Sequence, residues 1–153
     1  MAFEYNDGGR EAAGFKGKAG DCVVRAIAIA MQKPYKEVYN AMRECGKAER
    51  RGKRGGRSNP RGGVFVKRKW FKDWMQAQGW EWVCINRIGQ ASKTHLTASE
   101  LPTGRLICAT SKHYVAFING VVNDTFDSSR GGSRMVYGYW REKGILENNK
   151  ETQ

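Results

Sequence analysis

Residues 22–31, Cys-Val-Val-Arg-Ala-Ile-Ala-Ile-Ala-Met, carry one charge in ten positions. Such content predicts a helix from Cys22 to about Gln32 with no polar face to turn toward water, so it belongs in the middle of a domain. Gly20 and Asp21 precede it. Asp21 has the chemistry of an N-cap, and Gly20 gives the chain room to turn into the helix. The first turn of a buried helix is also where a thiol becomes reactive, because unsatisfied N–H groups and the helix dipole favour the thiolate. A base for Cys22 must then come from elsewhere in the chain.

The 153 residues suffice for one domain over 1–153 whose core needs neither disulfides nor metal. The four cysteines, Cys22, Cys45, Cys84 and Cys108, are widely spaced, and there are only two histidines. No Cys-x-x-Cys pair occurs, so neither a structural zinc nor any other cofactor is expected. Cys45, Cys84 and Cys108 fall on apolar stretches and are expected in the core. The chain opens with no apolar run of signal-peptide type and holds no segment long enough to span a bilayer. A reducing cytoplasm without a membrane partner is the expected location.

The net charge of +12 suggests nucleic acid until it is located. Eleven of the bases lie between Lys47 and Lys72, against one acid, Glu49. Outside that segment the chain is nearly neutral. Gly46 to Gly63 combines like charge with glycine and predicts a mobile basic loop. Most such runs are solvated surface. The functional alternative is that Arg50, Arg51, Lys53, Arg54, Arg57 and Arg61 contact phosphates or an acidic protein. No recognised nucleic-acid motif lies beside them.

In chain order, residues 1–19 read as a glycine-rich lead-in. Pro34 opens a second helix over Tyr35–Cys45, and a third covers Val64 to about Gln78 with Val66, Trp70, Phe71, Trp74 and Met75 on one side. Trp80–Asn86 has strand composition, followed by a polar loop over Arg87–Thr94. His95 comes next, just before Thr97-Ala98-Ser99-Glu100, which has the form of a capping box. Strands are then expected at Leu106–Ala109, Tyr114–Ile118, Val121–Phe126 and Met135–Trp140, with a frayed tail from about 142.

Asn119-Gly120 between two apolar runs is a strong signal for a two-residue hairpin. It would pair Ile118 with Val121, Phe117 with Val122, Ala116 with Asn123 and Val115 with Asp124. His113 then shares a face with Asp124 as its diagonal neighbour, while Asn123 points the other way. Asp127 takes the place of Asp124 if the turn is longer. A cysteine at a helix start, a histidine at a strand start and an acid able to orient it are the parts of an activated thiol nucleophile.

A helical part opened by the cysteine, then a sheet bringing His113-Tyr114-Val115 and Asn123-Asp124-Thr125, resembles the papain-like cysteine peptidase superfamily. The hairpin is most similar to the bacteriocin-processing branch, where the matching end usually reads Asn-Asp-Pro. Residues 20–28, Gly-Asp-Cys-Val-Val-Arg-Ala-Ile-Ala, and 137–140, Tyr-Gly-Tyr-Trp, also resemble uncharacterised bacterial and phage proteins. The first resemblance implies Cys22 as nucleophile, His113 as general base and then acid, and Asp124 as orienting group. Lys16 stands six positions before Cys22, near where papain-like enzymes usually carry the glutamine that stabilises the oxyanion. Asn6 or the Cys22 amide is left for that role.

The fold expected is α+β, papain-like, with an N-terminal helical part around a central buried helix and a C-terminal antiparallel sheet. The expected function is a thiol hydrolase, either a cysteine peptidase or an amidase or acyl transferase, acting on a peptide or amide. The alternative is a non-catalytic protein on a degenerate peptidase fold that binds nucleic acid or an acidic partner through residues 47–72.

Overall fold

The computed structural model of the protein describes residues 3–17, 19–49, 56–85 and 93–144. Among these the chain forms three helices and six strands in the order β1 (Phe3–Tyr5), α1 (Cys22–Met31), α2 (Tyr35–Lys47), α3 (Lys69–Ala77), β2 (Trp80–Cys84), β3 (Arg105–Thr110), β4 (His113–Ile118), β5 (Val121–Asp124) and β6 (Gly138–Glu142). The strands make one sheet in the spatial order β1-β5-β4-β3-β6-β2. The class is α+β. The sheet, however, is mixed rather than antiparallel, because β1 runs parallel to β5, with Phe3 opposite Val122 and Tyr5 opposite Asp124.

The apolar helix sits where its composition sends it. Val23, Val24, Ala26, Ile27, Ala28, Ile29 and Ala30 are all buried, and the alanines keep α1 slim enough to lie close over β4 and β3. On that face Ile107, Ala109, Tyr114, Ala116 and Trp140 meet α1, Tyr35, Val38 and Met42 of α2, and Phe71 and Met75 of α3. On the other face Leu106, Cys108, Val115, Phe117, Val122 and Tyr139 pack under Leu96, Leu101 and Val136. Burial on both faces is why these strands read as nearly continuous apolar runs. The Arg105 side chain donates to the carbonyls of Ala30 at 2.7 Å and Ile29 at 2.6 Å, placing a cation on the negative end of α1.

The hairpin is built as its turn demands. Asn119 and Gly120 both take positive φ, 49° and 81°, as a type I′ turn requires. Ile118 pairs with Val121, Phe117 with Val122 and Ala116 with Asn123. Asp124 pairs with Tyr5 instead of Val115, and Phe126 lies beyond the strand.

Other expectations are corrected. The lead-in is packed: Phe3–Tyr5 forms a sheet edge, and Phe15 stacks on Tyr35 and Tyr39, with ring centroids 5.0 and 4.6 Å apart. Helix α3 starts at Lys69 rather than Val64. Residues before it are engaged elsewhere: Asn59 and Gly63 exchange both backbone hydrogen bonds, and the Phe65 amide donates to Ser58 Oγ. The last strand begins at Gly138 rather than Met135, because the amides of Val136 and Tyr137 donate to Thr94 and Ala109. It runs on to Glu142, and the Lys143 amide donates to the Gly79 carbonyl at 2.8 Å; the rest of the tail expected to fray, residues 145–153, lies outside the described residues. Cys108 is buried and Cys45 half-buried, but Cys84 is exposed, since it lies on the edge strand β2 with its side chain to solvent.

The stretch expected as a mobile basic loop is not loop from its first residue. Gly46 and Lys47 belong to α2, and Arg50, Arg51, Lys53 and Arg54 lie outside the described residues. Arg57 and Arg61 are exposed. The stretch from Ser58 is anchored by Glu49, the segment's one acid, which is only 6% exposed. Its carboxylate accepts from the Ser58 amide at 2.5 Å, Ser58 Oγ at 2.9 Å and Trp70 Nε1 at 2.9 Å, and it pairs with Arg68 at 3.2 Å. Burial works to raise the Glu49 pKa, but these donors together hold it below its ordinary value. One buried carboxylate thus staples α2, the loop and α3 together.

Gly138 shows why the Tyr-Gly-Tyr-Trp stretch contains its glycine. A Cβ there would run into the Trp82 ring and the Val83 carbonyl on β2. Replacing it by alanine should cost about 2 kcal/mol through forced displacement in a packed sheet. A thermal melt followed by circular dichroism should then show Tm lower by roughly 4–8 °C. An unchanged Tm would mean that Trp82 swings aside freely. Among the described residues no helix is long and apolar enough to cross a membrane.

Candidate active site

Cys22 is the first residue of α1, where the amide has no acceptor inside the helix. Beneath it β4 begins at His113, and the close fit of α1 over β4 brings thiol and imidazole together. Cys22 hydrogen-bonds the His113 side chain, and the Tyr114 backbone N–H donates to its sulfur. On the far side of the ring, His113 Nε2 lies 2.7 Å from Asp124 Oδ2. Since Nε2 is taken by the carboxylate, Nδ1 is the nitrogen left for the thiol. Asp124 is 3% exposed and is itself held by the Thr125 amide at 2.7 Å and Ser128 Oγ at 3.0 Å.

Electrostatics follow from this arrangement. Burial alone would raise the pKa of Cys22, but the His113 hydrogen bond, the Tyr114 amide and the charges of His113 and Arg25 outweigh it and lower the value. Burial alone would lower that of His113, yet Asp124 and Cys22 push it up to about 9. Asp124 is held below its ordinary value, chiefly by His113 against the opposing effect of burial. All three directions favour a thiolate–imidazolium pair oriented by a carboxylate.

Asp21 does not cap α1: its side chain makes no capping hydrogen bond. It is drawn instead into a buried cluster. Tyr35 donates its hydroxyl to Asp21 Oδ2 at 2.6 Å, Arg25 Nη1 donates to Oδ1 at 3.2 Å, and Arg10 Nε lies 3.1 Å from Oδ2. The other terminal nitrogen of Arg25 reaches Asp124 Oδ1 at 3.5 Å. Arg25 therefore joins the acid beside the cysteine to the acid behind the histidine. Sequence reasoning missed this role, although Asp21 and Arg25 stand at the i, i+4 spacing at which a helix pairs opposite charges. It also missed Ser128, for which no local signal exists.

His113 pairs with Asp124 rather than Asp127, whose Oδ1 accepts from the amide and hydroxyl of Ser129 at 3.1 and 2.6 Å. Asn6 is removed from the thiol: it donates to Asn123 Oδ1 at 3.2 Å and lines a different pocket with Asn123 and Ala28. Lys16 is exposed, and what it offers its surroundings is a carbonyl accepting from Arg10 at 3.2 Å. His95 pairs with Glu100 at 3.2 Å and forms a bridge to Met135, away from the cysteine. The described residues contain no group of three or more His, Cys, Asp or Glu suited to a metal ion.

Cys22 and His113 open into a cleft of about 1260 Å³. One wall is the turn at Gly62 and Gly63, whose backbone lies so close to Gly20 that a Cβ there would sit 3.2 Å from the Gly62 carbonyl. The Phe126 ring packs 5.5 Å from that of His113. No family model, curated protein or solved structure matches this chain.

Proposed function

We propose that this protein is a papain-like thiol hydrolase, a cysteine peptidase or an amidase or acyl transferase acting through Cys22, His113 and Asp124. The observation that carries the reading is the position of His113, clamped to Asp124 at 2.7 Å and hydrogen-bonded to Cys22 at the floor of an open cleft. A structural cysteine needs no such partner. The buried Cys108, whose only perturbation is a rise in pKa from burial, illustrates the contrast.

In this mechanism the Cys22 thiolate attacks the carbonyl carbon of an amide or ester, forming a C–S bond while the carbonyl electron pair moves onto oxygen. The Cys22 amide in the first turn of α1 faces that oxyanion as a donor, aided by the positive end of the helix. Collapse breaks the bond to the leaving group, which takes the proton of the His113 imidazolium. Water then attacks the thioester, neutral His113 accepts its proton, and a carboxylic acid leaves as the thiolate returns. Asp124 holds the ring in the tautomer that turns Nδ1 to sulfur throughout.

The test is direct acylation. Incubation with p-nitrophenyl acetate should give a burst of nitrophenolate stoichiometric with protein, an acetyl adduct that peptide mapping assigns to Cys22, and slow turnover. Cys22→Ala should show no burst. An adduct only on the exposed Cys84, or none, would sink the enzyme reading. The non-catalytic reading, binding of nucleic acid or an acidic protein, draws on the exposed Arg57 and Arg61 beside the cleft wall. A salt-sensitive gel shift, lost on neutralising Arg50, Arg51, Lys53 and Arg54 and indifferent to Cys22→Ala, would favour it.

A further inference from the structure

The walls above the thiol carry a pattern that the triad does not use. Lys67 and Lys72, just before and within α3, and Lys112, on the β3–β4 turn, all line the cleft, while no aspartate or glutamate is among its described lining residues. All three lysines are exposed. Two described lysines pair with acids, Lys47 with Glu44 at 3.2 Å and Lys69 with Asp73 at 2.7 Å, while others such as Lys33 and Lys36 do not, so it is the gathering of three bases at one cleft that stands out. Among the described residues Lys67, Lys72 and Lys112 form no such ion pair. Trp82, Phe126 and Tyr137 are 40%, 51% and 40% exposed and border the same cleft.

We infer that the cleft takes an acidic peptide segment, with an apolar residue lodged on the exposed rings that border it and carboxylate side chains on either flank reaching Lys67, Lys72 and Lys112. This inference rests on the thiol-hydrolase reading and adds the substrate class to it. An extended peptide crossing Cys22 spreads its side chains to either side of the scissile carbonyl, where bases carried by two separate elements, the α3 region and the β3–β4 turn, can meet them. Low-dielectric walls of one charge sign concentrate ligands of the opposite sign. Rings between them supply the non-directional contact that charge does not.

Binding is measured on Cys22→Ala, so that no turnover is needed, by fluorescence anisotropy. The probes are a labelled peptide with Glu and Asp flanking a central Phe, its Gln/Asn counterpart, and a single-stranded oligonucleotide. At low salt the acidic peptide should bind roughly tenfold more tightly than its amide counterpart, the sum of three exposed ion pairs. Lys67→Gln/Lys72→Gln/Lys112→Gln should remove that preference, and charge reversal to Glu at the same positions should invert it. Equal binding of both peptides, or a preference that survives the triple change but falls with Arg57→Gln/Arg61→Gln, overturns the assignment. So does an oligonucleotide that competes as well as the acidic peptide. The acylation of Cys22 in the unmodified protein reports separately on the thiol site, so failure of the substrate class is distinguishable from failure of the enzyme.

Discussion

At about pH 6, iodoacetamide should alkylate Cys22 one to two orders of magnitude faster in the wild-type protein than in His113→Ala. The sign follows from the pair. His113, raised to about 9, is imidazolium throughout the neutral range, and its charge helps lower the pKa of Cys22. Removing the ring leaves burial, the largest influence on the thiol, opposed only by the Tyr114 amide and the charge of Arg25. The variant's thiolate fraction then falls about tenfold per pH unit below its pKa, while the wild type stays reactive. Part of the advantage is given back, because a thiolate of lower pKa is intrinsically a weaker nucleophile. As pH rises through about 9, the imidazolium loses its proton and the two rates should converge. Mass mapping separates Cys22 from the exposed Cys84. Parallel profiles for wild type and variant would show that His113 does not activate the thiol.

The second large effect is structural. Asp21→Ala should destabilise the fold by about 3–5 kcal/mol, because it removes the shared acceptor of a buried cluster and leaves cations behind. Tm should fall by roughly 10–15 °C on the usual scaling for a domain of this size. A simple N-cap would cost only about 1 kcal/mol, so the size of the loss tests which role Asp21 plays. Arg25 would keep only its 3.5 Å contact with Asp124, and Arg10 and the Tyr35 hydroxyl would lose the partner they share. Asp21→Asn, which keeps the shape and the Tyr35 acceptor, should lie between alanine and wild type. Urea denaturation of the three proteins measures the series. A loss near 1 kcal/mol for alanine would reduce the cluster to a weak surface feature.

One residue links these two effects. Arg25 touches both Asp21 and Asp124, so loosening Asp21 should also loosen the acid that orients His113. The Asp21→Ala protein, where folded, should therefore show slower Cys22 labelling near neutral pH than the wild type. The motif Gly-Asp-Cys-Val-Val-Arg thus supplies Cys22 together with the two charged groups, Asp21 and Arg25, that brace the structure around it.

Local periodicity determined a good deal by itself. Ten nearly uncharged residues could only be a buried helix, and the Asn119-Gly120 turn with period-two alternation set the hairpin register. That register placed His113 and Asp124 on one face, because a strand's side chains alternate and a slip of one residue would reverse every one of them. Tertiary structure decided what depends on partners far away in sequence. It joined Phe3–Tyr5 to β5 across more than a hundred residues, something no pattern in three residues can encode. It turned Asp21 from a cap into the centre of a buried charge cluster, because Arg10 and Tyr35 arrive there from other segments. It also paired His113 with Asp124 rather than Asp127, made Glu49 the staple of the basic segment, and gathered Lys67, Lys72 and Lys112 around one cleft. A helix or a hairpin is written in neighbouring residues, whereas a site is a meeting of distant ones, and only the packed chain specifies who meets whom.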